Sequence, residues 1–336
     1  CSYFLGMGVK LGDLVERNNL KLTDLKGKKV AIDAFNVLYQ FLASIRQQDG
    51  TPLMDSNGKV TSHLVGLFSR NINLMEKGIK LVYVFDGKPP ELKAKTAEIR
   101  NKNKEKASKN YEKAALDEDE EGMAKYSRQM LRLNDEMIEE SKELLRAMGI
   151  PVIEAPSEAE AQCSYMCKKK DVYAVGSQDF DSLLFGAPKL ILNLTLSQKR
   201  KVIGGRQVMI SPYLVELNEL LETLEINQDE LIMFGIMVGT DFNPGGIKGI
   251  GPKKAMKLLS KRPEEIFSDV DFDWKEIYDI FKNIPVEKDY NLEFKDIDVE
   301  KVKEILVERH EFGVERVESG LAKLKKKNQG LDKWLN

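Results

Sequence analysis

The sequence predicts an α/β fold, a mostly parallel central sheet flanked by helices, and two sets of observations predict it. KKVAID (28–33), KLVYVFD (80–86) and DVYAVGSQD (171–179) are short runs rich in Val, Ile, Tyr and Phe, and each ends in an acid. Strands buried on both faces read this way, as continuous apolar runs bounded by Gly, Lys or Asp. Between them, FNVLYQFLASI (35–45), TSHLVGLFSRNINLMEKG (61–78) and LNDEMIEESKELLRAMG (133–149) repeat apolar residues at helical spacing. Strands alternating with helices argue for a sheet covered on both sides.

Along the chain, the 28–33 strand feeds the 35–45 helix, and the 61–78 helix leads into the 80–86 strand. Residues 91–130 break the pattern. They are almost all polar, with eight Lys/Arg against four Glu in 91–113 and then DEDEE at 117–121. A helix there can bury little, so the stretch is either a mobile insertion or a surface that meets a partner; DEDEE by itself reads as solvated helix surface. The 133–149 helix and the 171–179 strand follow. From 229 the pattern is helical again, interrupted by the glycine-rich GTDFNPGGIKGIG (239–251).

A chain of 336 residues with 42% hydrophobic and 8% aromatic content suits one large packed domain or two small ones, not a disordered chain. No window approaches the ~18 apolar residues of a membrane span and no signal peptide is visible, so a cytoplasmic setting is expected. Three cysteines, Cys1, Cys163 and Cys167, make no disulfide framework and agree with a reducing interior. Cys163 and Cys167, four apart in a helical stretch, read as core filling. The formal net charge of −2 conceals separation along the chain, and KLKKK (323–327) adds a second basic run. Clustering of this kind is what nucleic-acid binding requires, although a solvated helix end explains the second run equally well.

The acids set the chemistry. Asp33, Asp86, Asp179 and Asp181 fall at or just past strand carboxyl ends, where open α/β sheets bind ligands. Glu158 and Glu160, in PSEAEA, open a helix whose positive dipole end tolerates anions. Asp241 closes another helix at VGTD. Taken singly, Asp33 or Asp86 reads equally as a turn acid, and Ser157-x-x-Glu160 fits a capping box. Seven neighbouring carboxylates as a set repel one another and demand a cation. The ligands are oxygens only; His63 and His310 lie far off in sequence, read as surface or packing residues, and neither CxxC nor HExxH occurs. Hard oxygen ligands point to Mg²⁺ or Mn²⁺. Two subsets of acids suit two ions ~3.5–4 Å apart, the arrangement that cleaves phosphodiesters.

Together AIDAFNVLYQFL, VYVFDGKPPELK, MGIPVIEAPSEAEAQ, SQDFDSLLFGAP and GTDFNPGGIKGIGPKKA resemble the flap endonucleases, most closely those of the archaeal type, in order and spacing from about Met7 to the C-terminus. The resemblance implies a monomeric, structure-specific nuclease with associated 5′–3′ exonuclease activity. It would cut 5′ flaps and nicked duplex DNA in replication and repair with two Mg²⁺ per site. It implies an α/β nuclease core over 7–238 with a helical arch inserted at about 88–135, a helix-hairpin-helix unit over 239–320, and a tail from 321.

Residue by residue, the resemblance implies one metal group of Asp33, Asp86, Glu158 and Glu160, and a second of Asp179, Asp181 and Asp241. Lys93 and Arg100, seven apart on one helical face, match the family's catalytic cations. Tyr39 matches an aromatic that stacks on the base beside the cut, with core packing as its alternative. GIKGIGPKKA (246–255) resembles the element that grips duplex phosphates through Gly249, Gly251, Lys253 and Lys254, and the family binds K⁺ there through main-chain carbonyls. Arg46 and Arg70 match duplex and 3′-flap contacts, with solvated arginines as the alternative. NQGLDKWLN (328–336) resembles the motif that docks on the sliding clamp, with Asn328, Leu331, Trp334 and Leu335 at its key positions and weaker binding implied by Asn328 and Leu335. CSYFLG ahead of Met7, and Ser69 in place of an aromatic, depart from the family pattern.

Two other classes compete. A small-molecule phosphatase would use DFDSL, but leaves GIGPKKA idle and has no phosphate-cradling GxxxxGK[ST] loop. A non-catalytic DNA-binding scaffold would not need all seven acids with Lys93 and Arg100. Exonuclease and four-way-junction relatives stay open; the modest spacing from Asp86 to Glu158 and the clamp-like tail favour flap cleavage.

Overall fold

A computed structural model describes residues 11–12, 14–15, 18–47, 50–117, 119–130, 132–196, 199–201 and 207–332. Its strands are β1 (Asn18–Asn19), β2 (Lys29–Asp33), β3 (Lys80–Phe85), β4 (Val152–Glu154), β5 (Ala174–Gly176), β6 (Lys189–Leu192), β7 (Lys199–Lys201), β8 (Gln207–Met209) and β9 (Tyr213–Glu216). Its helices up to the middle of the chain are α1 (Ala34–Ser44), α2 (Ser62–Glu76), α3 (Lys93–Leu116), α4 (Glu120–Gln129), α5 (Asp135–Ala147), α6 (Ala159–Lys168) and α7 (Asp181–Leu184). The rest are α8 (Leu217–Leu224), α9 (Gln228–Val238), α10 (Pro252–Leu258), α11 (Pro263–Ile266), α12 (Trp274–Asn283), α13 (Val299–Lys303), continued by a π turn over Glu304–Arg309, and α14 (Val314–Asp332).

Seven strands form one sheet in the order β1-β9-β6-β5-β2-β3-β4. The five strands from β6 to β4 are all parallel, while β9 and β1 add an antiparallel edge. The chain lays β3 and β4 to one side of β2, then crosses to place β5 and β6 on the other. The junction of β2 and β5 is therefore the switch point at which such sheets open a crevice.

Alternation along each strand divides the core in two. Val30 and Ile32 of β2 with Leu81, Tyr83 and Phe85 of β3 pack under α1, α2 and α5. Ala31, Val82 and Val84 face the other way, against α6, α7 and α9. Cys163 and Cys167 are buried there, as core filling requires. Buried on both faces, these strands had to be uniformly apolar, which is why they were legible. The 171–179 run is ordered as strand only over Ala174–Gly176, because its last residues turn out to form the site.

The charged 91–130 stretch forms two helices packed on one another, α3 and α4. Among their described residues only Thr96, Ala107, Ala114 and Gly122 are buried, and Asp119 caps α4 by accepting from the Gly122 amide at 2.9 Å. The hairpin is thus held mainly at its base and along a thin apolar seam.

One close approach joins the base of this hairpin to the sheet. The Gly87 amide donates to the Ser157 carbonyl at 2.7 Å, and a Cβ at Gly87 would lie 2.1 Å from the Ala155 carbonyl oxygen. The segments leaving β3 and entering α6 therefore touch backbone to backbone. Gly87→Ala is expected to lower stability by more than about 1 kcal/mol and to spread these two segments. Thermal unfolding reads the loss; a melting temperature unchanged from the parent would refute the contact.

Candidate active site

Each acid is delivered by a different element. Asp33 ends β2 and caps α1, accepting from the Asn36 amide at 3.0 Å. Asp86 follows β3 and accepts from the Ala159 amide at 2.6 Å, so it caps the free start of α6 in place of a residue of that helix. Glu158 is the residue before α6, Glu160 lies in its first turn, and neither makes a capping bond to the helix. This removes the capping-box alternative for Ser157 and Glu160: the helix begins one residue later than that motif needs, with Glu158 and not Ser157 at its N-cap. Asp179 follows β5 and accepts from Asn36 Nδ2 at 2.6 Å; Asp181 opens α7.

Asp241 reaches the group through a turn that only glycine permits. Gly246 adopts φ +57°, and a Cβ there would lie 2.3 Å from the Met237 carbonyl oxygen at the end of α9. Lys93, the first residue of α3, projects into the acids. Its Nζ donates to Glu158 Oε2 and lies 3.4 Å from Asp241 Oδ2. Thr96, one turn on, donates its hydroxyl to the Asp241 carbonyl at 2.6 Å. The foot of the charged hairpin is thereby anchored on the loop after α9.

The electrostatics link all seven acids. Burial pushes the Asp33 carboxyl well above the ordinary range, and Asp86 and Asp179 add to it. Burial does the same to Glu160, followed by the charges of Asp181, Asp33 and Asp179. Glu158 is also raised, by burial and then Asp86 and Asp241, although Lys93 works against this. Burial opposes the Lys93 ammonium, but Glu158 and Asp241 outweigh it and its pKa rises. The neighbours divide into Glu158, Asp86 and Asp241 around Lys93, and Glu160, Asp33, Asp179 and Asp181 beyond it. Asp241 stands close enough to Glu158 to raise it, and Thr96 and Lys93 tie it to the base of α3.

The donor set is carboxylate oxygen throughout and carries a large excess of negative charge, which fits hard divalent cations. Among the described residues no three His, Cys, Asp or Glu side chains converge closely enough to hold an ion as they stand. Lys93 Nζ stands between Glu158 and Asp241.

The other expected positions are distributed unevenly. Tyr39 on α1 is half-buried, belongs to none of the apolar clusters of the described residues, and has Lys104 Nζ of α3 5.7 Å from its ring centroid, so the core-packing alternative fails. Arg46 is half-buried: its Nε donates to Leu42 O at 2.9 Å, and its Nη1 to Gly50 O at 2.5 Å and Ser127 Oγ at 2.7 Å. Arg70 is half-buried, and burial lowers its pKa. Gly251 precedes α10 with Pro252 at its first position, Gly249 has φ +80°, and Lys253 and Lys254 are exposed. Of the surface and packing readings for His63 and His310, packing holds: both are buried. The Arg100 side chain and Trp334 and Leu335 lie outside the described residues, and Asn328 and Leu331 are described only as backbone of α14. Sequence reasoning missed Asn36 and Thr96, which hold Asp179 and Asp241; the only signal was their place in the first turn of helices that begin beside an acid.

Residues 7–107 match the XPG N-terminal domain and residues 149–241 the XPG I-region. The chain is 50% identical over 324 residues to flap endonuclease 1 of Pyrococcus horikoshii, spanning 95% of this chain and 94% of that one. In structure it is similar to the flap endonuclease-1 of Methanococcus jannaschii, with a TM-score of 0.77 and 46% identity over 94% of this chain and 98% of that one. The catalytic core of Rad2 in complex with a DNA substrate shares the fold, with a TM-score of 0.71 at 23% identity, over 94% of this chain and all of that one. With the carboxylates gathered at the sheet's switch point and this near full-length identity, the chain belongs to the flap endonuclease family of XPG-type nucleases.

Proposed function

We propose that the chain is a 5′ flap endonuclease with associated 5′–3′ exonuclease activity, acting as a monomer in the cytoplasm on flaps and nicked duplexes in DNA replication and repair. The observation that carries it is the seven-acid cluster with Lys93 inserted from the charged hairpin. Asp33, Asp86, Glu158 and Glu160, with Asp179, Asp181 and Asp241, would hold two Mg²⁺ ions, for which Mn²⁺ can substitute. When bound, such ions supply an activated water and neutralise the departing oxygen.

The chain's own residues do the rest. Lys93 carries positive charge to the phosphate beside the acids, and Arg100, seven residues on in the same helix, is the second catalytic cation of this reading. Glu158 and Asp241, which now engage Lys93, are among the acids that would hold the ions, and Lys93 would then face the phosphate. Tyr39 offers a ring face beside α1 and α3 for the base next to the cut, and stacking of that kind contributes about 1–3 kcal/mol. Residues 88–135 form the arch over a single-stranded flap, and 239–320 form the helix-hairpin-helix unit attached to the 7–238 core. There Gly249, Gly251, Lys253 and Lys254 meet duplex phosphates, and K⁺ binds main-chain carbonyls. Arg70 faces the 3′ flap, while Arg46 acts through the loop it holds. The tail from 321, through Asn328, Leu331, Trp334 and Leu335, docks on the sliding clamp.

No described helix is long and apolar enough to cross a membrane.

Three outcomes test this reading. Asp181→Ala should abolish flap cutting in single-turnover assays while flap affinity stays close to the parent's; Lys93→Ala should slow the chemical step by about 10²–10³-fold with a much smaller loss of binding. Equal loss of both in Lys93→Ala would make it a phosphate anchor only. Deleting 328–336 should abolish pull-down by the cognate clamp; an undiminished pull-down would remove the tail from this role.

Metal binding has a pH signature. Asp33 and Glu160 hold protons more tightly folded than unfolded. The folded chain therefore carries extra protons above the ordinary carboxylate value of about 4, and stability falls as pH rises from there. The metal-free melting temperature should decline from about pH 5 to about pH 8, less steeply in Glu160→Gln. Mg²⁺ should restore more at the upper end, and an equal gain at both ends would refute ion binding by these acids.

A further inference from the structure

A second buried charge cluster lies away from the catalytic acids and has no part in the mechanism. His310, in the turn between the π segment and α14, has Nδ1 3.0 Å from Asp55 Oδ2 and Nε2 3.0 Å from Glu140 Oε1. The side chains of His310 and Asp55 are 1% and 0% exposed. Its neighbour Glu311 accepts from the Ser56 amide at 2.9 Å and from the Ser56 hydroxyl. Asp55 Oδ1 also accepts from the amides of Asn57 and Lys59, and Lys59 Nζ donates to Glu136 of α5 at 2.5 Å. At the other end of the same loop, Gly50 O accepts from Arg46 and from Ser127 Oγ of α4. The 50–60 loop is thus strung between the arch and the C-terminal helix.

The ring's chemistry decides its protonation. An ionised carboxylate only accepts, and a neutral imidazole has one N–H and one bare nitrogen. A neutral His310 would set that bare nitrogen against a carboxylate in a buried site, a costly pairing, whereas an imidazolium donates to both acids. The groups facing it are Asp55 and Lys59 from the loop, Glu136 and Glu140 from α5, Glu311 beside it, and His63 from α2. His63 is buried with neither ring nitrogen hydrogen-bonded among the described residues, and burial, then the His310 charge, lowers its pKa to about 3. His63 therefore stays neutral beside the ring that faces the two carboxylates.

We propose that His310, held as an imidazolium between Asp55 and Glu140, is a positioning residue that fixes the 50–60 loop between the arch and the C-terminal helix. A loop so fixed presents Arg46 and Gly50 to α4 in one register, which lowers the ordering needed when a substrate is bound. Its link to the reaction rests on the flap-cleavage reading; the clamp itself does not.

The chain has two histidines, so selective ¹⁵N labelling of their rings separates them. One histidine should show both ring nitrogens protonated at neutral pH and the other should be a neutral tautomer, with the doubly protonated set lost in His310→Gln. In the free protein His310→Gln should speed amide exchange across 51–60. On a labelled flap it should raise KM by about three- to tenfold with kcat nearly unchanged. Glu140→Gln, which leaves one carboxylate, should lose the double protonation and gives the same test should His310→Gln not fold. A neutral His310, or loop exchange equal to the parent's in both variants, overturns the clamp. Faster exchange with KM unchanged overturns its link to the reaction and leaves flap cleavage standing. A parent chain that cuts no flap overturns that reading instead, and the ring signals and loop exchange still decide the clamp.

Discussion

The molecule is organised around like charges that its own fold forces together. Parallel strands end on one edge of a sheet, and a chain that puts an acid at the end of β2, β3 and β5 necessarily brings those acids close. Two unit charges 4 Å apart near a protein surface repel by about 4 kcal/mol at an effective dielectric of 20. Asp33, Glu158 and Asp181 are all buried, so water does little to relieve this. Both halves of the core, the cap that Asp86 places on α6, and the Gly87 contact work against that repulsion. They hold the acids in place when nothing else favours it.

Lys93 shows how the free protein lives with the imbalance. A single ammonium is drawn between Glu158 and Asp241, the two acids nearest the foot of α3. Because Thr96 also bonds the Asp241 carbonyl, the base of the charged hairpin is fixed to the same loop. The position of the hairpin and the charge state of the site are thus one problem. Under the proposed function, Glu158 and Asp241 would help hold a divalent ion, and Lys93, which now answers both, would then be the cation left to face a phosphate.

Much of this was legible in the sequence. KLVYVFD and the helices at 35–45, 61–78 and 133–149 reappear within two residues of their expected bounds, because buried strands and amphipathic helices write their environment into a local pattern. β4 and β6, of three and four residues, are too short to show a period, and the antiparallel edge of β9 and β1 depends on pairing partners distant in sequence. The acids could be found because strand-end acids are few and stand out against apolar runs. What could not be found were residues whose role exists only after folding. Asn36 reaches Asp179 across 143 residues, and His310 reaches Asp55 across 255. Nor does anything local say that the Arg46 guanidinium reaches Gly50 and Ser127.

The two buried charge clusters follow opposite logics, and the contrast separates structure from function. Around His310 the cation faces carboxylates on both ring nitrogens, with Lys59 serving Glu136 at the margin, so every charge has a partner supplied by the chain. Such a network needs nothing from outside and holds a loop. Among the seven site acids the ammonium of Lys93 answers Glu158 and Asp241, while burial and like charge press Asp33 and Glu160 toward holding protons. Burial is common to both, and so is the number of elements recruited. The difference is the missing positive charge. A fold that maintains such a deficit against its own stability is suited to cations from outside, which is the physical ground of the proposed metal-dependent cleavage of a polyanion.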